Sequence, residues 1–185
     1  MPIKGQFLLN PTTHDSYKFL ETAQDTDGEY VLLHTTLTTT GLLVPNHLHV
    51  SQDETFEVLT GALTVWANGR VRVLGPGERL VLPRNQPHNH FNAGESPVAY
   101  LHHVSPALDF DYLIENMVGL SLDGKGRNGK FGLLQELVWL KHLDSKSFLA
   151  DMPRSVQQAL MAVLTPLGRL LGYRAVYKKY SGIEK

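Results

Sequence analysis

Two histidines one residue apart, His47 and His49, with Glu54 five positions beyond the second, constrain this 185-residue chain more than any other feature. In an extended strand alternate side chains share a face. His47 and His49 are therefore expected to project together, with Glu54 opening the next strand after a turn at 50–53. A third imidazole, His88, arrives from GERLVLPRNQPHNHFN, a strand-like run bounded by glycine and proline. Imidazoles and one carboxylate gathered on one sheet face make a donor set for a divalent first-row metal. Parity extends the set. With Glu54 inward, Phe56 and Val58 follow it while Thr55 and Glu57 turn outward; with His88 inward, so are His90 and Asn92.

The flanking sequence has a strand rhythm. Tyr17-Lys18-Phe19-Leu20 is a plausible first strand, the run 29–40 (EYVLLHTTLTTT) is rich in β-formers, and 97–104 supplies a last strand. Asn68-Gly69 between LTVWA and RVRVL predicts a tight hairpin. Short strands broken by Gly, Pro and Asn argue for a mainly β, antiparallel sandwich or barrel rather than a parallel sheet. A small barrel of this kind encloses room for one ligand.

The spacing Gly41, five residues, His47-x-His49, four residues, Glu54, six residues, Gly61 resembles the first motif of the cupin superfamily. Gly77, Pro83, His88 and Asn92 match the second motif, with Asn85 where the family usually has glycine. Asparagine tolerates a left-handed backbone, so the departure is mild. The resemblance covers about residues 30–105 and implies a single double-stranded β-helix (jelly-roll barrel), similar to the small quercetinase-like cupins. It also implies that His47, His49, Glu54 and His88 hold a divalent ion: Fe, Mn, Ni, Co or Zn. A redox ion implies a dioxygenase-like oxidoreductase acting on a small organic substrate. A Lewis acid implies an isomerase or hydrolase, and a non-catalytic small-molecule-binding cupin is the third option.

The donor cluster also has a physical warrant. Three imidazoles and a carboxylate turned into an apolar cavity each lose hydration, and a bound cation offsets that loss. Phe56, His90 and Asn92 are expected beside it, as pocket wall or as hydrogen-bonding partners of a ligand. At most one of His102 and His103 can face the cavity, because neighbours in a strand point oppositely. His34, alone in its strand, is expected to be a packed or surface residue in preference to one lining the site, and His14 and His142, without a partner in sequence, to be structural. The expected walls Phe56, Val58, Leu80 and Leu82 favour a largely apolar ligand carrying one or two oxygens over a sugar. Arg70, Arg72, Arg79 and Arg84 fall in the hairpin and turns, outside the cavity.

Beyond residue 105 the apolar period becomes helical. Residues 1–105 are thus expected to form the barrel and 106–185 a helical extension, with helices starting near Phe110, over 133–143 and over 155–171. Ser155 sits where a helix N-cap belongs and Pro166 where a kink would fall. The glycine-rich run 124–132 lacks the ending of a phosphate-binding loop and is expected to be a linker. Val156, Leu160, Val163, Leu164, Leu167 and Leu171 need burial, on the barrel, in a homodimer interface or on a membrane. The first two are favoured over the membrane. Cysteine is absent, removing thiolate chemistry and disulfides together. The formal net charge of −1, without a basic block, argues against nucleic-acid binding. MPIKGQFLLNPTTHD lacks the apolar core of a signal peptide, so a cytoplasmic location is expected.

Overall fold

The structure, a computed structural model, describes residues 1–41, 44–126 and 130–185. Ten strands come first: β1 (Phe7–Leu9), β2 (Ser16–Glu21), β3 (Val31–Leu37), β4 (His47–His49), β5 (Asp53–Thr60), β6 (Leu63–Ala67), β7 (Arg70–Leu74), β8 (Arg79–Leu82), β9 (His88–Asn92) and β10 (Val98–Ser105). Helices α1 (Phe110–Leu122) and α2 (Leu133–His142), strand β11 (Ser147–Leu149), and helices α3 (Arg154–Leu170) and α4 (Lys178–Ser181) follow. The strands form two antiparallel sheets, ordered β1-β2-β3-β10-β5-β8 and β11-β4-β9-β6-β7. This is the expected jelly roll followed by helices.

Alternation builds the barrel interior. On β10 every second residue is buried, and Val98, Tyr100, His102 and Val104 form its inward row. Phe56 and Val58 from β5 pack with Leu63, Val65, Leu74, Leu82, Val98 and Tyr100 as one core. The turn between β6 and β7 places Asn68 and Gly69 both at positive φ (48° and 75°), the backbone of a type I′ hairpin. At Gly61 a Cβ would lie 2.6 Å from the Pro97 carbonyl oxygen, so glycine is required for steric as well as dihedral reasons (φ +78°). Asn85 adopts φ 63°, and its N–H donates to the His49 carbonyl at 2.7 Å. The residue standing in for the motif's glycine thus takes the left-handed conformation and ties the loop before β9 to β4.

The tail departs from expectation in two places. First, β11 is a strand: it pairs antiparallel with β4, in the register Ser147↔His49, Phe148↔Leu48 and Leu149↔His47, and covers the edge of the strand carrying two of the histidines. Second, α3 begins at Arg154 after an N-cap at Pro153, so Ser155 lies inside the first turn and caps nothing. Pro166, where the sequence places a kink, lies inside α3, which runs to Leu170. The tail packs on the barrel. Leu137, Phe148 and Met161 form a buried cluster against Leu48, the outward residue between the histidines, together with Leu160 and Leu164. Val156, Val163, Leu167 and Leu171 remain exposed on this chain. The linker expected over 124–132 falls partly on residues 127–129, outside the described ones. At the other end of the chain, residues 1–15, without a clear period, contain β1, paired with β2. No helix among the described residues is long and apolar enough to cross a membrane.

Candidate metal centre

Three short elements bring the predicted donors together. β4 turns His47 and His49 inward and Leu48 out; β5 places Glu54 one residue past its start; β9 begins at His88, whose Cα partner is His47. One ligand atom from each of His47, His49, Glu54 and His88 lies within 4.8 Å of every other, and all four residues are buried. The Glu54 carboxylate is the hub: Oε2 is 2.8 Å from His88 Nε2, and Oε1 is 3.3 Å from His49 Nε2 and 3.0 Å from His102 Nε2.

Backbone contacts assign the ring tautomers. A carbonyl oxygen only accepts, so the contacts of His47 Nδ1 with Pro45 O (3.0 Å) and of His88 Nδ1 with Gln86 O (2.8 Å) place a hydrogen on each Nδ1. Each Nε2 then carries a lone pair facing inward, as in a metal-ligating histidine whose other ring nitrogen donates to a backbone carbonyl. For His88 the consequence is sharp, because its Nε2 meets a carboxylate oxygen at hydrogen-bond distance. A neutral imidazole has one N–H and cannot serve both oxygens. A second proton or a shared cation must complete that contact. Donors about 2.1 Å from an ion and at right angles to one another are about 3 Å apart, and opposed ones about 4.2 Å. The Glu54 spacings to His88 (2.8 Å) and His49 (3.3 Å) are close to the shorter edge, and three imidazoles with one carboxylate are a donor set that fits a divalent ion.

Electrostatics point the same way. Burial would raise the Glu54 carboxyl, but the charges of His49 and His102 and hydrogen bonds from His102 and His88 hold it well below the ordinary carboxylate range. Burial pushes His47 down to about 4, helped by His49 and His88, and pushes His49 down as well. His88 is raised, because its hydrogen bond to Glu54 and that residue's charge outweigh burial. The lone pairs of His47 and His49 are therefore available at neutral pH, and the carboxylate is ionised.

The surroundings sort the remaining candidates. Phe56 lies at the floor, its ring centroid 4.5 Å from His90 and 4.9 Å from His102. His90 faces this aromatic group; burial lowers it to about 3, and its Nδ1 is buried without a partner. Asn92 is spoken for: its Nδ2 donates to Ser96 O at 2.9 Å, and its Oδ1 accepts from Gly94 N. It holds the turn after β9. His102 faces the cluster, while His103 stacks on Tyr30 on the other face, at 4.7 Å. Parity on β10, with Val98, Tyr100 and Val104 as its other inward members, selects His102. Phe110, at the start of α1, lays its ring edge against His102 (5.4 Å) and His49 (6.4 Å), shielding the cluster on that side. Sequence periodicity alone did not connect Phe110 with the site. His34 lies on the opposite face of β3 from the inward Leu33 and Thr35. The four arginines are exposed, and Arg84 pairs with Asp53 at 2.9 Å. Of the expected walls, Phe56, Val58 and Leu82 are close-packed core residues, with Leu80 against them. A groove of about 480 Å³ lies outside the barrel beside Leu48, Phe148 and Arg154, and a cavity of about 590 Å³ lies in the tail.

Residues 34–104 match the family model described as Cupin domain. Quercetin 2,3-dioxygenase of Bacillus subtilis (strain 168) is 29% identical over 87 residues, covering 47% of this chain and 25% of that protein. The chain thus spans about a quarter of the length of the curated relative it matches. Among solved structures, KdgF from a Halomonas species is similar at 19% identity, over 56% of this chain and 90% of that one, with a TM-score of 0.48. The polyketide cyclase RemF from Streptomyces resistomycificus is 24% identical over 54% of this chain and 69% of its own, with a TM-score of 0.45.

Proposed function

We propose, on the premise that residues 34–104 of this chain are a domain of the cupin superfamily, that it is a metal-dependent oxidoreductase of dioxygenase type. Its substrate would be a small, largely apolar organic molecule bearing one or two oxygens. One observation carries the metal half of the proposal: one ligand atom from each of His47, His49, Glu54 and His88, all four buried, lies within 4.8 Å of every other. His47, His49, Glu54 and His88 would hold the ion. Together they would supply three imidazole nitrogens and one carboxylate oxygen. A bound redox ion supplies activation of an enol or phenol oxygen and of dioxygen.

The chain's own residues do the rest. Pro45 and Gln86 carbonyls fix the ring orientation of His47 and His88. Phe56, Tyr100 and Phe110 make the surroundings aromatic, which suits a ring better than a polyol, whose hydroxyls would need many partners. Phe110 keeps water from one side of the cluster. The exposed arginines leave no buried cation for a phosphate among the motif residues. The segment similar to a quercetin dioxygenase supports the same substrate chemistry.

Oxygen uptake by the metal-loaded protein tests the proposal, with catechols, flavonols and 1,3-diketones set against free sugars. Uptake with an aromatic or diketone substrate is expected. Full metal loading without uptake on any of them would reject the redox reading and leave Lewis-acid chemistry or simple binding.

A further inference from the structure

His102 is an inward imidazole that belongs to neither sequence motif. It lies on β10, the strand between β3 and β5, where its Cα partners are Leu33 and Phe56. Its Nε2 is 3.0 Å from Glu54 Oε1. The carboxylate is ionised and only accepts, so this nitrogen carries the hydrogen and donates it. In that tautomer Nε2 has no lone pair to offer an ion. His102 is thereby chemically distinct from His47 and His88, which carry their hydrogens on Nδ1. It is buried, and its ring is held between Phe56 at 4.9 Å and Phe110 at 5.4 Å. The two oxygens of Glu54 differ in their surroundings: Oε1 takes the His102 donor at 3.0 Å and lies 3.3 Å from His49 Nε2, while Oε2 faces only His88 Nε2 among these rings, at 2.8 Å.

We infer that His102 is a positioning residue for the metal site. Its N–H engages Glu54 Oε1 and so orients the carboxylate, leaving Oε2 as the oxygen that would face an ion. The inference rests on the metal site proposed above. It also gives Phe110 a role, since the first turn of α1 braces the ring that orients the ligand. Partners of this kind, outside the ligand set, are typically worth ten- to a hundredfold in metal affinity.

The test uses Co(II) titration by chelator competition, with the visible absorption of the Co(II) protein as a second readout. His102→Phe keeps an aromatic ring and removes the donor; His102→Gln keeps an amide donor. Affinity in His102→Phe is expected to fall ten- to a hundredfold with a changed Co(II) spectrum, and His102→Gln to stay within about threefold of wild type with a spectrum like it. Equal affinity and spectra in wild type and His102→Phe would overturn the inference, as would a His102→Gln variant as weak as His102→Phe. A long-range proton–nitrogen NMR spectrum of the Zn(II)-loaded wild type is independent of whether either variant folds. It is expected to show His102 with its hydrogen on Nε2, and a metal-bound Nε2 there would overturn the inference. A wild type that takes up neither ion fails the metal reading itself, whereas a wild type that binds while His102→Phe matches it fails only this inference.

Discussion

Around Glu54, buried groups that would each be costly alone satisfy one another. Replacing His47, His49 or His88 with Ala removes a lone pair from the cluster and is expected to lower metal affinity at least a hundredfold, and Glu54→Gln to weaken it. Glu57→Gln should leave affinity unchanged, since Glu57 shares its face of β5 with Thr55, away from the cluster; equilibrium dialysis reads all five variants. The metal-free protein should also show a pH signature. His47 and His90 stay neutral in the fold down to about 4 and about 3, against 6.5 when unfolded. Between pH 6.5 and 4.5 the unfolded chain therefore binds more protons, and stability falls as pH falls. Each of the two contributes up to roughly 3 kcal/mol over that window, at about 1.36 kcal/mol per unit. His88 has the opposite sign, its stabilisation being present below 6.5 and lost as pH rises through its raised value. Urea unfolding at pH 7, 6 and 5 reads the trend; stability that rises on acidification would contradict it. The donors were legible because strand parity and motif spacing are local. His102 was half legible, for parity pairs it with Tyr100 but does not say which row faces in.

Among the elements, β11 matters most to the site. Its backbone is tied to β4 at both ends, Val50 N–H donating to Lys146 O at 3.1 Å and Ala150 N–H to Asn46 O at 2.9 Å. Phe148 anchors it in the cluster shared with Leu137 and Met161. Phe148→Ala is expected to cost about 3–5 kcal/mol and to speed hydrogen exchange at the Val50 and Ala150 amides before the barrel core opens. Unchanged exchange at those two amides would mean that β4 holds its place without β11. Strands with clean alternation, the Asn68-Gly69 hairpin and the three long helices could be read from the sequence, because period and turn chemistry are local signals. β1 and β11 could not. Each is three residues long, and β11 pairs with a strand about a hundred positions earlier, a non-local contact that leaves no periodic trace. Ser155 failed as a cap because α3 starts one residue before it.

In the whole molecule the tail is partly accounted for by the barrel. Leu160 and Leu164 pack toward β11 and β4, yet Val156, Val163, Leu167 and Leu170 form an exposed apolar row along α3, and the edge strand β7 exposes Val71 and Val73. Exposed rows and unpaired edges of this kind are usually covered. We therefore expect a homodimer at micromolar concentration, read by light scattering, and Val163→Glu with Leu170→Glu to shift it toward monomer. A monodisperse wild-type monomer would contradict this. The ion itself is probed most directly by X-ray absorption at the edge of whatever metal copurifies with the protein. One ion per chain, bound by three imidazoles and one carboxylate with further light-atom ligands beyond the protein's four, is the predicted result. An absent edge, or a shell with fewer than two imidazoles, would contradict a metal centre built from His47, His49, Glu54 and His88.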